Sequence, residues 1–211
     1  MFMSRVRILA ALIAATSAAP AASAATAKEP VAETESTAVD GAIEFARGLT
    51  AKATKALTSD KPEAEQLEEF RAVLADGMAL DVIGKFMIGD TRKTMSEEQL
   101  SRYNAVFPQY LTKLYAEQFQ DIVGKPLEVI EAKELGARDV IVRTKFDRKN
   151  GGSPIMVDWR VRKLRSGERK AIDIIVQGVS IMLVKREEFS SFVASNNVDA
   201  LLDRLEQDAA A

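Results

Sequence analysis

Residues 153–192 read SPIMVDWRVRKLRSGERKAIDIIVQGVSIMLVKREEFSSF. Side chains along a strand point to alternate faces, so a period of two marks a one-sided strand. Ile155, Val157, Trp159 and Val161 fall on one face, and Met156, Asp158, Arg160 and Arg162 on the other. Ile172, Ile174 and Val176 form a second apolar face, with Asp173, Ile175 and Gln177 opposite. Ser166-Gly167 between the two runs predicts an antiparallel pair. Gln177-Gly178-Val179-Ser180 then opens a helix. An apolar sheet face must be covered, and the rest of the chain has to supply the cover.

Upstream, Val140, Val142, Thr144 and Phe146 alternate with Ile141, Arg143 and Lys145, and a weaker pattern covers residues 127–133. Lys149-Asn150-Gly151-Gly152 is a turn. Four such strands in succession predict a meander.

The flanking spacing is helical. Ser96-Glu97-Glu98-Gln99 is a capping box, in which two side chains satisfy free backbone N–H groups at a helix start. Leu100, Tyr103, Phe107, Tyr110, Leu111, Leu114 and Phe119 follow as one aromatic stripe, ended by Gly124 and Pro126. Pro108 lies inside it and should kink the helix near Asn104. Residues 81–89 form a compact apolar helix, with Gly89 suited to the position after its last turn. Asp60 or Ser59 is expected to cap a helix carrying Leu67, Phe70, Val73 and Leu74, with Pro62 in the first turn. Asp40 is expected to cap a helix that runs to Leu57. After the strands, Ser180 starts a helix with Leu183, Arg186, Phe189 and Val193 on related faces, and Leu201, Leu202 and Leu205 line a last one. Helices, a strand meander and helices again predict an α+β fold, with helices over one face of an antiparallel sheet. No repeat or internal linker is visible, so residues 39–207 read as one domain.

Residues 1–24 have the form of a cleavable secretory signal. Arg5 and Arg7 give the positive start, an apolar run follows to Ala15, and Ala22-Ser23-Ala24 fits a cleavage site. Residues 25–38 are rich in Ala, Thr and Glu and read as a disordered tether. Removing the first 24 residues would leave 187 and shift the net charge from −2 to −4. That balance argues against a nucleic-acid binder, which carries a basic excess. The expected location is the periplasm.

The chain has no Cys and no His. This excludes disulfides, thiolate nucleophiles, Ser-His-Asp triads and Cys/His zinc sites. A carboxylate-only metal or acid/base site remains possible. Asp158 and Asp173 lie opposite the apolar faces, where solvated cross-strand pairs with Arg160 and Arg162 are the plainer reading. The apolar stripes can be a closed core, or the walls of an apolar ligand site. Arg186 lies one turn before Phe189, so its stem can cover apolar surface while its head meets an anionic group.

Several segments carry a resemblance. Ile172-Asp173-Ile174-Ile175-Val176-Gln177-Gly178-Val179-Ser180-Ile181, the Arg186-x-x-Phe189 pair, residues 83–89 and the helix around residues 103–115 resemble the MlaC, or toluene-tolerance, family of periplasmic phospholipid-binding proteins. The run from Ser180 to Phe189 is similar to the hopanoid-associated HpnM branch. Two places depart from the family pattern: Asp90-Thr91-Arg92 replaces a Trp-Arg, and Glu168-Arg169-Lys170 replaces Gly-Trp-Lys.

The resemblance implies a curved sheet of NTF2-like shape, backed by six or seven helices, with lipid tails in an apolar slot between. It implies a phospholipid or hopanoid as ligand, with an inner-membrane ABC transporter complex and an outer-membrane lipoprotein complex as partners. No cofactor, metal or catalytic residue is implied, and the chain is expected to be monomeric. The expected slot residues are Phe86, Phe107, Leu111, Tyr115, Val142, Ile155, Val157, Trp159, Ile174, Val176, Met182 and Phe189, with Arg186 as the headgroup contact. The competing readings are an NTF2-like enzyme with a carboxylate base inside the cavity, and a scaffold with a solid core.

Overall fold

The computed structural model describes residues 31–119, 127–148 and 151–210. The expected signal, the helix stop at Gly124 and Pro126, and Lys149-Asn150 of the turn lie outside them. Among the described residues, six α-helices accompany one sheet: α1 Val31–Leu57, α2 Glu63–Gly77, α3 Leu80–Ile88, α4 Glu97–Phe119, α5 Ile181–Ser195 and α6 Val198–Ala210. A 3-10 turn, Gly89–Lys93, follows α3. The strands are β1 Glu128–Leu135, β2 Asp139–Phe146, β3 Ile155–Lys163, β4 Arg169–Val176 and β5 Val179–Ser180. They form one antiparallel meander in sequence order, the expected α+β arrangement.

Register explains the inner face. Val142 pairs with Trp159, Thr144 with Val157, and Phe146 with Ile155 across β2 and β3. Trp159 pairs with Ile174, and Val157 with Val176, across β3 and β4. From Val140 to Phe146 and from Ile155 to Arg162 the inner side chains are buried and their outward neighbours half-buried. The expected face of β4 is corrected at one point. The register shifts between Arg160 and Val161, so Val161 meets Ala171 and Arg160 meets Asp173. Ile172 is the extra residue of this bulge, and both it and Asp173 are buried. Asp158 and Asp173 are therefore not cross-strand neighbours, and Asp173 is not on a solvated face.

The helix starts follow local chemistry. At α4 the Ser96 N–H donates to Gln99 Oε1 at 3.0 Å, and the Gln99 N–H donates to Ser96 Oγ at 3.1 Å. The helix runs on through Pro108, and the Thr112 hydroxyl bonds back to the Pro108 carbonyl at 2.9 Å. Helix α2 starts after Pro62 without a side-chain cap, so neither Ser59 nor Asp60 caps it. The Pro62 carbonyl accepts from the N–H groups of Glu65 and Gln66 instead. Helix α1 begins at Val31, nine residues before the expected cap at Asp40, and includes residues 31–38 of the expected tether. In α5, Leu183 is 53% exposed, so its buried face is set by Met182 and Phe189. Leu201, Leu202 and Leu205 of α6 are fully buried. Among the described residues, no helix is long and apolar enough to cross a membrane.

Candidate functional site

Residues from β2, β3, β4, α3, α4 and α5 meet in one apolar cluster between sheet and helices. Phe107, Leu111, Tyr115, Val142, Ile155, Val157, Trp159, Ile174, Met182 and Phe189 all lie inside it, and Phe86 and Val176 pack against its edge. The structure thus brings the expected slot residues together. Leu111, Tyr115, Val142, Val157 and Ile174 have no exposure at all. They belong to the buried core.

Two polar contacts run through this cluster. The Thr144 hydroxyl donates to the Val157 carbonyl at 2.6 Å and accepts from Trp159 Nε1 at 3.1 Å. Without them, both buried polar groups would carry a desolvation cost. The Tyr103 hydroxyl donates to the Gly84 carbonyl at 2.9 Å. Gly84 has no Cβ, so the Phe107 ring lies against its backbone. This ties α3 to α4. Burial pushes the Tyr103 and Tyr115 phenols well up, so both stay protonated. Met78, Met87, Met95 and Met182 also belong to the cluster. Only Met182 was expected there, because isolated methionines outside a clear stripe give no sequence signal.

Arg186 stands at the seam of α3 and α5. Its guanidinium lies 4.6 Å from the centre of the Phe86 ring. It also rests against Gly89, whose φ of 54° and ψ of −135° suit only glycine. Arg186 is half-buried and faces the C-terminal end of α3, where backbone carbonyls favour a cation.

Asp173 sits at the start of α5. Its carboxylate accepts from the Ser180 hydroxyl at 2.7 Å, and Ser180 Oγ in turn accepts from the Leu183 N–H at 3.1 Å. Burial pushes its pKa up, against the opposing pull of Ser180, the Met182 and Ile174 N–H groups and Arg160. One carboxylate oxygen, Oδ2, is thus held at the start of the helix, while Oδ1 is buried without a hydrogen-bond partner among the described residues.

The outward sheet face carries ion pairs. Asp139 is buried and binds Arg160 at 2.7 Å and Arg162 at 2.6 Å, while Asp158 binds Arg143 at 3.0 Å. Burial opposes ionisation of Asp139, but the two guanidinium groups outweigh it and hold its carboxyl below the usual range. Sequence reasoning missed Asp139 because its partners lie across the strands, and only register brings them together. Outside the cluster, a groove of about 370 Å³ runs between α2 and α4, with Arg71, Ala72, Pro108 and Thr112 among its walls.

Comparisons agree with this architecture. A phospholipid-binding protein from Ralstonia solanacearum, solved in complex with a phospholipid, shares the fold with a TM-score of 0.58, covering 83% of this chain and 94% of that one at 19% identity. The Haemophilus influenzae intermembrane phospholipid transport system binding protein MlaC is 26% identical over 132 residues, 62% of this chain and 62% of that one. The matched stretch thus spans less than two thirds of that relative's length. The MlaC protein family matches residues 47–207, nearly all of the described domain. This chain belongs to the MlaC family.

Proposed function

We propose that this protein is a non-enzymatic lipid carrier, which holds phospholipid acyl chains between the inner sheet face and the α3–α4–α5 layer. The observation that carries the reading is the one-sided apolar wall of β2, β3 and β4 facing the aromatic stripe of α4. Support comes from the family, from the phospholipid in the Ralstonia structure and from the name of the Haemophilus relative. Each CH₂ moved from lipid into water costs about 0.8 kcal/mol. Two acyl chains of about 16 carbons would cost on the order of 25 kcal/mol, so a carrier has to hide them.

The wall residues Leu111, Tyr115, Val142, Val157 and Ile174 are fully buried, so in this proposal lipid enters by the helix layer moving off the sheet. Methionine suits such a wall, because its unbranched thioether repacks at low cost. Residues 1–24 act as an export signal, residues 25–38 as a lead-in, and residues 39–207 as the lipid-binding domain. The carrier works as a monomer in the periplasm, between an inner-membrane ABC transporter complex and an outer-membrane lipoprotein complex.

Trp159 is the only tryptophan and is buried in the proposed wall. The test is a titration of delipidated protein with phospholipid brominated near the chain ends. Trp159 fluorescence should be quenched saturably. Binding of the lipid without quenching would place the chains elsewhere and overturn the slot.

A further inference from the structure

A small cavity of about 50 Å³ opens at the β1–β2 turn, at the end of the sheet away from Phe146 and Ile155. Three cationic side chains line it: Arg138 from the turn, Lys163 at the end of β3 and Arg169 at the start of β4. Nearby Arg143, Arg160 and Arg162 each bind a carboxylate. Among the described residues, Arg138, Lys163 and Arg169 bind none. Two carboxylates line the cavity, and Asp139 is already neutralised by Arg160 and Arg162. Glu134 is the single competitor.

Arg169 is built into the cavity wall. Its guanidinium packs against Gly41 of α1, where any Cβ would collide with it. Its Nη2 donates to the Thr37 carbonyl at 3.4 Å. Glycine inside a helix costs about 1 kcal/mol against alanine. Here that cost leaves room for one guanidinium beside two further cations.

We propose that this cavity binds a phosphate-sized oxyanion, at a site separate from the apolar slot. Three cations around one cavity with no carboxylate bound to them leave a local positive charge that a multivalent oxyanion can answer through charge-assisted hydrogen bonds. The anion has two possible sources: free phosphate, or the phosphodiester of a lipid headgroup.

The test is amide NMR on the full chain. One arm titrates inorganic phosphate against chloride at matched ionic strength. The other titrates dihexanoylphosphatidylglycerol below its micelle concentration. Saturable shifts confined to residues 134–139, 163 and 169 support the site, and the arm that produces them names the source. Lys163 is exposed, so Lys163→Gln should fold normally and weaken binding roughly tenfold, the equivalent of one charge-assisted contact. Glu134→Gln should tighten it. Shifts that never saturate, that spread over all basic surface, or that both variants leave unchanged would show an adventitious ion only and overturn the proposal. This result is independent of the fate of Trp159 quenching.

Discussion

Gln177 turns the chain between β4 and β5 with a φ of 51°, followed by Gly178 at 81°. Two central residues with positive φ match the tight hairpin turn that prefers Asn-Gly. Gln177 is the strained member, and its N–H donates to the Met156 carbonyl at 2.9 Å. Gln177→Asn keeps that backbone bond and should stabilise the protein by about 0.5 kcal/mol, read as a higher urea midpoint. A lower midpoint would show that the longer side chain is needed. Arg186 makes a second prediction. Its place over Phe86 implies that Arg186→Ala loosens α3 against α5 and costs about 1 kcal/mol. Unchanged stability with lost lipid would support the headgroup role that the sequence suggested.

Asp173 tests the start of α5. Its pKa in the folded chain is raised above the ordinary 3.8, chiefly by burial. The native state then binds a proton more readily than the unfolded chain, so the charged form costs stability above the folded pKa. That cost disappears as pH falls through the folded value towards 3.8. Asp173→Asn should therefore be at least as stable as the parent near neutral pH, with the gap closing on acidification. A variant weaker at neutral pH would mean that the carboxylate's bond to Ser180 outweighs its desolvation.

Among the elements, α4 was the most legible. Its capping box and aromatic stripe are local patterns, and local bonds alone realise them. Ser96→Ala should cost about 1 kcal/mol in thermal or urea unfolding. No loss would imply that packing of the stripe fixes the helix start. The alternation of β2 and β3 was also legible, because both strands are half-buried in the way a period of two describes. The bulge at Ile172 was not. It depends on which residue of β3 meets which of β4, and the composition of either strand does not encode that. Strand β5 has only two residues, too few for any periodicity. The early start of α1 was hidden by a composition of Ala, Thr, Glu and Val that suits helix and tether equally. The burial of the set of residues expected to line the slot was legible, because burial on a common face is what periodicity reports. Whether that set encloses lipid or only itself is a matter of volume, on which periodicity is silent.

For the molecule as a whole, two sheet faces divide the work. The outward face is fixed by Asp139, Asp158 and their arginines, and the inward face is left almost wholly apolar. Asp139→Asn would leave Arg160 and Arg162 without their shared partner, and should cost about 1–3 kcal/mol above the carboxylate range. The folded pKa of Asp139 is depressed, so this loss should fade as pH falls through it. A difference that persists in acid would show that packing, and not charge, is what the variant removes.

The proposed function requires the apolar wall to hold acyl chains. Native mass spectrometry of the gently purified, processed protein tests it most directly, with lipid extraction of the same sample. A phospholipid carrier gives a bound species heavier by the mass of one phospholipid, recovered in the extract. A protein found only at its bare mass, with a lipid-free extract, would contradict it, and a hopanoid mass would replace the ligand while keeping the carrier.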